Sequence, residues 1–279
     1  MALPRRCLVL RRGGLGDTLL MVPVLRAVAR EHPAIRLEFT GVREFADVLV
    51  AYGIVAVARS SEDLALWSPE LARQRLAGFH HIVADDARVQ TAAPTAACVQ
   101  VFEPRPRDRT PLSQQIAAQL GLALHLPGDA NLQVASADPR GPFVLAPGSG
   151  ALAKNWPRAH WLELAAALPR DRELEVVVGP TEQERDDPRA WPWPRAVTFL
   201  ADLSVVHLAQ RLAAAAAFVG NDSGPTHLAA MLGLRTVALF GGGDAAVFGP
   251  LGPRVVVVQG ERADIATITP EQVAAVVLR

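Results

Sequence analysis

The sequence predicts two doubly wound α/β domains, each a parallel sheet covered by helices on both faces. Three observations point there. Short β-rich runs alternate with longer helical stretches, the pattern of parallel strands joined by helical crossovers. The alternation runs through the first half, breaks at a polar, Pro- and Gly-containing stretch from Leu126 to Pro142, and then restarts. A length of 279 residues suits two domains of roughly 140 better than one. The expected domains are therefore residues 1–138 and 139–279.

In the first half the expected strands are RRCLVL (5–10), IRLEFT (35–40), IVAVA (54–58), HHIVAD (80–85) and VQVF (99–102). Between and after them, LLMVPVLRAVARE, EFADVLVAYG, SPELARQRLAG and PLSQQIAAQLG carry helical patterns. In the second half FVLAPG (143–148), LEVVVG (174–179), VTFL (197–200), AFVG (217–220), TVALFG (236–241) and RVVVVQ (254–259) are the expected strands. Helices are expected to start near Pro157, itself a first-turn residue, and near Thr181, Ser204, Gly224 and Thr269.

Half of the residues are apolar and 20% are charged, which suits a large core and argues against global disorder. Net charge is zero, whereas a nucleic-acid binder usually carries a strong basic excess. A local basic bias exists near the start, at Arg5, Arg6, Arg11, Arg12, Arg26, Arg30, Arg36 and Arg43. Such a bias is more often a solvated face than a binding patch, and it leaves room for an anionic acceptor. Cys7 and Cys98 show neither pairing nor metal spacing, and Cys7, in an apolar run, is expected to be a buried, reduced thiol. The opening MALPRRCLVLRRGG is too short in apolar length for a signal peptide, and no run of about 18 apolar residues occurs, so a cytoplasmic protein is expected.

One basic side chain differs from the rest. Lys154 is the only lysine among 28 basic residues. A composition biased toward Ala, Arg, Pro and Gly leaves one lysine by chance, or the site requires a compact charge on a flexible stem. Phosphate is a common partner for such a lysine.

Ligands of doubly wound sheets sit at the carboxyl ends of the strands, so the loops there matter most. With two domains the expected site is the cleft between them. LRRGGLGDTLL (10–20) places Gly13, Gly14 and Gly16 ahead of or beside Asp17. Asp17 has two readings, N-cap of the following helix or general base, and the cap is the commoner use. The glycine spacing is not G-x-G-x-x-G, which weakens a nicotinamide-dinucleotide reading. PGSGALAKNWP (147–157) combines Gly148, Ser149 and Gly150 with Lys154, a donor-rich loop that suits a phosphate; it is not a Walker A loop. FVGNDSGPTHLAAMLG (218–233) ends a strand at Gly220 and opens a helix at Gly224, with Asp222 or Ser223 as cap, Pro225 harmless in the first turn and His227 just beyond it. Taken one at a time, Asp222 and Ser223 are caps and His227 a satisfied, partly buried histidine; with the lysine loop they describe a diphosphate site.

Together the three segments resemble glycosyltransferase family 9, whose best-known members are the ADP-heptose:lipopolysaccharide heptosyltransferases. The family's GD…P-A-L signature is matched by GLGDTLLMVPVLRAV, its PG…K-x-W-P signature by PGSGALAKNWPRAHW, and its ND(S/T)G…HLAAALG…V-A-L-F-G signature by GNDSGPTHLAAMLGLRTVALFG. The resemblance implies GT-B architecture: two Rossmann-like domains facing a central cleft, acceptor in the N-terminal one and donor nucleotide in the C-terminal one. It implies that Asp17 is the catalytic base and that Lys154, with Ser149 and Gly150, clamps the donor phosphates. Asp222, Ser223, Gly224 and His227 would line the donor side, and Gly13, Gly14 and Gly16 would form the acceptor-side loop. An acidic residue after VVVG is expected at the donor ribose: Glu182, with Glu184 as the alternative.

The implied reaction is a metal-independent, inverting transfer of a sugar, heptose from ADP-heptose, to a hydroxyl of a glycan or lipopolysaccharide-core acceptor. No D-x-D motif is present, and no cofactor is expected beyond the donor. Expected partners are the nucleotide sugar and a glycan, lipid-linked or small-molecule acceptor, with contact to the inner face of the plasma membrane made through the acceptor. Two other readings stay open. One is a non-catalytic nucleotide-sugar-binding protein. The other is a nucleotide-sugar 2-epimerase-like enzyme using His80, His81, Asp85 and Asp86, although HHIVADD reads more simply as a strand and its exit loop.

Overall fold

A computed structural model describes residues 5–132 and 138–279. The chain forms two compact units, Met1–Ala130 and Asn131–Arg279. Part of the expected linker stretch, residues 133–137, lies outside the described residues.

The first unit contains strands β1 (Arg6–Leu10), β2 (Arg36–Gly41), β3 (Val57–Ser60), β4 (His81–Ala84) and β5 (Cys98–Val101). Its helices are α1 (Leu15–Leu20), α2 (Val22–Glu31), α3 (Arg43–Ala51), α4 (Pro69–Leu76), α5 (Arg88–Ala92) and α6 (Leu112–Gln119). The sheet is parallel, in the order β3-β2-β1-β4-β5. The second unit contains β6 (Phe143–Ala146), β7 (Leu174–Val178), β8 (Thr198–Ala201), β9 (Ala217–Asn221), β10 (Thr236–Phe240) and β11 (Val255–Gln259). Its helices are α7 (Arg158–Ala167), α8 (Pro180–Arg185), α9 (Val205–Leu212), α10 (Gly224–Met231), α11 (Ala245–Phe248) and α12 (Pro270–Val277). This sheet is parallel as well, in the order β11-β10-β9-β6-β7-β8.

Both orders have one reversal. The chain steps outward from β1 to β3, then returns and lays β4 against the free side of β1. In the second unit it steps from β6 to β8 and returns with β9 against β6. The helices after β1 and β4, or after β6 and β9, leave the sheet in opposite directions, which opens a crevice at the carboxyl ends of those strands. Each unit thus has one switch point, and its position follows from strand order alone.

Burial explains the continuous apolar runs. β7, β9 and β10 are buried along their whole length, as expected for strands covered on both faces. One side of the first sheet buries Leu8, Leu10, Ile82 and Ala84 against Leu76 and Phe79. The second unit packs Trp156, Trp161 and Leu164 onto Leu145 and Val176, with Val273 and Val277 of α12 in the same cluster. β11 is half exposed despite its four valines because it is an edge strand. Cys7 is buried and free, and burial pushes its thiol up to about 12. Glu38, the acidic residue of β2, is buried between Arg6 and Arg59. Burial raises its pKa, but the hydrogen bonds from both guanidinium groups outweigh that and hold it below the ordinary carboxylate value. Among the described residues no helix is long and apolar enough to cross a membrane.

Three expectations need correction. The strand expected over 54–58 starts later, at Val57, because Gly53 takes a left-handed conformation and the N–H groups of Ile54 and Val55 bond back to Leu49. Those two residues finish the end of α3 instead of opening a strand. The long helix expected after Asp17 is two, α1 and α2, parted at Met21. Pro157 precedes α7 as its N-cap residue, not its first-turn residue.

Candidate active site

The chemistry-bearing residues gather at the two switch points. At the first, β1 runs into Arg11, Arg12, Gly13 and Gly14 before α1 begins. Gly13 has φ +134°, and a Cβ there would lie 2.4 Å from Asp17 Oδ2, so only glycine fits. The N-cap of α1 is Gly14, and this corrects the cap reading of Asp17, which stands three residues further in. Asp17 still serves the helix end: its Oδ2 accepts the Gly14 N–H at 3.0 Å. Its Oδ1 accepts from Arg11 Nη2 at 2.5 Å. Gly16 lies inside the first turn of α1. Arg11 is 9% exposed as a residue, and its guanidinium also reaches Asp85 Oδ2 at 3.1 Å and the Arg12 carbonyl at 2.6 Å. Asp85 follows β4, so this bridge spans the switch point. A cavity of about 770 Å³ adjoins it, lined by Arg11, Arg12, Gly13, Asp85, Glu103 and Arg105 among others.

At the second switch point β6 runs into the loop 147–157, and β9 runs into Asp222, Ser223 and α10. Lys154, at the end of a short 3-10 turn, places Nζ 2.7 Å from Asp222 Oδ2. The lone lysine is therefore paired, with its side chain half exposed and that of Asp222 nearly buried. Ser149 is buried, and its hydroxyl has Asn155 Oδ1 and the Ala151 carbonyl within hydrogen-bond reach while accepting the Ala151 N–H. That hydroxyl folds the loop on itself. Gly150 is exposed beside it.

Gly148 packs against Glu182, whose carboxyl carbon would lie 2.0 Å from an added Cβ. Glu182 Oε2 accepts the Gly179 N–H at 2.8 Å and so tethers the start of α8. A cavity of about 220 Å³ is lined by Ser149, Asn155, Trp156, Glu182 and Trp191 among others. Glu184 is exposed and does not line it. Ser223 holds the N-cap position of α10 without a side-chain cap bond, which corrects the expected capping role. Its hydroxyl lies 3.2 Å from Thr226 Oγ1, which donates to the Asn221 carbonyl at 2.6 Å. Asp222 faces Lys154 instead of capping. Gly224 opens α10, and His227 is buried within it.

Sequence reasoning passed over Asn221 and did not link Arg11 with Asp85. Asn221 is fully buried, donates to the Pro147 carbonyl at 2.7 Å and accepts the Trp156 N–H at 3.2 Å. One amide thereby ties both ends of the lysine loop to β9. A polar residue at a strand's last position, next to Asp222, was the available signal. Arg11 and Asp85 were visible as charges at strand ends, but nothing local linked them. Replacing Asn221 with alanine leaves the Pro147 carbonyl and the Trp156 N–H without their partner. We expect a stability loss of about 3 kcal/mol in denaturant unfolding. A loss under about 1 kcal/mol would mean that the loop does not depend on this amide.

Two parallel α/β units of Rossmann strand order, each with a polar constellation at its switch point, have the architecture of the GT-B glycosyltransferases. Residues 110–274 match the family model of glycosyltransferase family 9 (heptosyltransferase). The chain belongs to that family. It is 35% identical over 111 residues to lipopolysaccharide heptosyltransferase 1 of Pseudomonas aeruginosa, a match that spans 39% of the chain and 31% of that relative. Similar solved structures include heptosyltransferase WaaC of E. coli with ADP, at TM-score 0.75 and 18% identity over 97% of this chain and 98% of that one. Another is the family 9 glycosyl transferase of Veillonella parvula, at TM-score 0.79 and 16% identity over 100% of this chain and 99% of that one. E. coli ADP-heptose lipopolysaccharide heptosyltransferase II follows at TM-score 0.73 and 19% identity, covering 98% of each chain. At these identities the structural likeness is one of fold.

Proposed function

We propose that the chain transfers heptose from ADP-heptose to a hydroxyl of a lipopolysaccharide-core acceptor, with inversion and without a metal. The observation that carries this reading is the placement of Lys154 with Asp222 and the start of α10 at the switch point of the second sheet. Family membership and the named relatives support the choice of donor and acceptor. In the reaction the acceptor oxygen attacks the anomeric carbon and gives its proton to the Asp17 carboxylate. The bond from that carbon to the β-phosphate oxygen breaks, and its electron pair leaves with ADP. Lys154, the amides of Ser149 and Gly150 and the positive end of α10 stabilise the developing phosphate charge. That assigns to fixed groups the work a divalent cation does elsewhere.

The unit over 1–138 on this reading binds the acceptor and that over 139–279 the donor, with Asp222, Ser223, Gly224 and His227 on the donor side and Glu182 at the ribose. Gly13, Gly14 and Gly16 let the acceptor approach Asp17 closely. The setting is the cytoplasm, against the inner face of the plasma membrane where the acceptor is lipid-linked.

Calorimetric titration with ADP, UDP, GDP and CDP, in magnesium and in EDTA, tests the donor. The expected result is ADP-selective binding unaffected by EDTA, followed by ADP release from ADP-heptose when heptose-free lipopolysaccharide is supplied. Preference for UDP or GDP would change the sugar. Failure to bind any of the four would overturn the reading in favour of a non-catalytic protein.

A further inference from the structure

We infer that Arg11 is the positioning residue for Asp17, acting through a carboxylate–guanidinium–carboxylate bridge that spans the first switch point. The inference rests on the reading of Asp17 as the base.

Three features of the bridge carry it. The first is access. Arg11 and Asp85 have side chains only 10% and 4% exposed, whereas that of Asp17 is 38% exposed. Of the two carboxylates on the guanidinium, Asp17 is the one a substrate hydroxyl can reach.

The second feature is restraint. Arg11 Nη2 holds Oδ1 of Asp17 and the Gly14 N–H holds Oδ2, so both oxygens are fixed by donors set in different directions. The carboxylate cannot turn without breaking one of them. Arg11 is itself anchored from behind: Nη1 bonds Asp85 and the Arg12 carbonyl. Asp85 is in turn held by the Arg12 N–H at 3.0 Å. The chain of contacts runs from the buried end of β4 to the exposed base.

The third feature is the shape of the cation. Nη1 and Nη2 are used on different partners, so the planar fork spans a gap that a single ammonium would bridge on one side only. A buried arginine satisfied by Asp85 alone would need no second carboxylate. Here the second one is the partly exposed Asp17. A misplacement of about 1 Å at a reacting group lowers a rate by about a hundredfold, which is the scale on which such an anchor acts.

The test measures ADP release from ADP-heptose with heptose-free lipopolysaccharide for wild type, Arg11→Ala, Arg11→Lys, Asp17→Asn and the Arg11→Ala/Asp17→Asn double variant. Calorimetric ADP affinity is measured for each. We expect Arg11→Ala to lower kcat by about 10–100-fold with the ADP Kd changed by less than about threefold. Arg11→Lys should recover little of that loss, and millimolar guanidinium ion should restore part of the Arg11→Ala rate. The double variant should be no slower than Asp17→Asn, because an anchor without its base has nothing left to position. Arg11→Ala at wild-type kcat beside an inactive Asp17→Asn overturns the inference and leaves the base reading intact. Asp17→Asn at wild-type kcat, or no turnover by the wild type, removes the base reading and the inference with it. Should Arg11→Ala fail to fold, Arg11→Lys decides: full kcat there overturns the proposal, and a loss of kcat at unchanged ADP affinity upholds it.

Discussion

Asp17→Asn is expected to lower the rate of transfer by about two to four orders of magnitude while leaving the melting temperature within a few degrees of wild type. Asparagine is nearly the same size, and its carbonyl can still accept the Gly14 N–H that Oδ2 accepts now. The tether at the start of α1 therefore survives the change. What is lost is the negative charge, which on the proposed reading takes the acceptor's proton, together with the acceptor that Oδ1 offers Arg11 Nη2. The variant separates the two uses of Asp17 that the sequence leaves open. A residue whose whole task is to hold α1 would tolerate asparagine with its rate nearly intact. Alanine is a poorer probe, because it removes the proposed base together with the acceptor of the Gly14 N–H, and a helix-end bond of that kind is itself worth about 1 kcal/mol. The measurement is kcat at saturating donor beside a thermal melt. A large melting shift with a modest rate loss would assign Asp17 to the helix end.

Lys154→Ala is the second change with a large expected effect, a fall of about 10²–10³ in kcat, the scale for removing one donor aimed at developing charge. The structure adds a reason for severity. Lys154 stands 2.7 Å from Asp222, so its removal leaves a carboxylate with no cation at the place proposed for the diphosphate. Repulsion would then replace attraction, and ADP affinity should fall as well. Lys154→Arg keeps the charge but presents a wide planar fork where a compact ammonium sits. It should lose activity by about tenfold or more. If the arginine variant turned over like wild type, the single lysine would be an accident of composition. If the alanine variant did, the phosphate-clamp assignment would be wrong. Both variants are read by kcat and by calorimetric titration with ADP.

Much of the architecture could be read from the chain because its signals are local. Apolar runs such as LEVVV and TVALF, bounded by turn residues, are strand signals, and both are buried strands here. The start of α10 was legible from Gly224 and Pro225, and that of α12 from Thr269, whose hydroxyl accepts the Gln272 N–H. Less was legible where a turn competes with a strand. Ile54 and Val55 have strand composition, yet their N–H groups are taken by Leu49.

The sequence by itself determined two alternating α/β halves, the three strand-end loops, and the kinds of residue in them: the lone Lys154, Asp17 behind its glycines, and Asp222 before a helix start. Only the tertiary structure decided which of these meet. Arg11 and Asp85 lie 74 residues apart, as do Asn221 and Pro147, and each pair is brought together by a strand returning to the free side of the first strand of its sheet. The physical reason is that hydropathy and turn chemistry act within a few residues, whereas an ion pair or a buried amide acts through space. Its partner is chosen by strand order, and strand order is set by how the helices cover the two faces of each sheet.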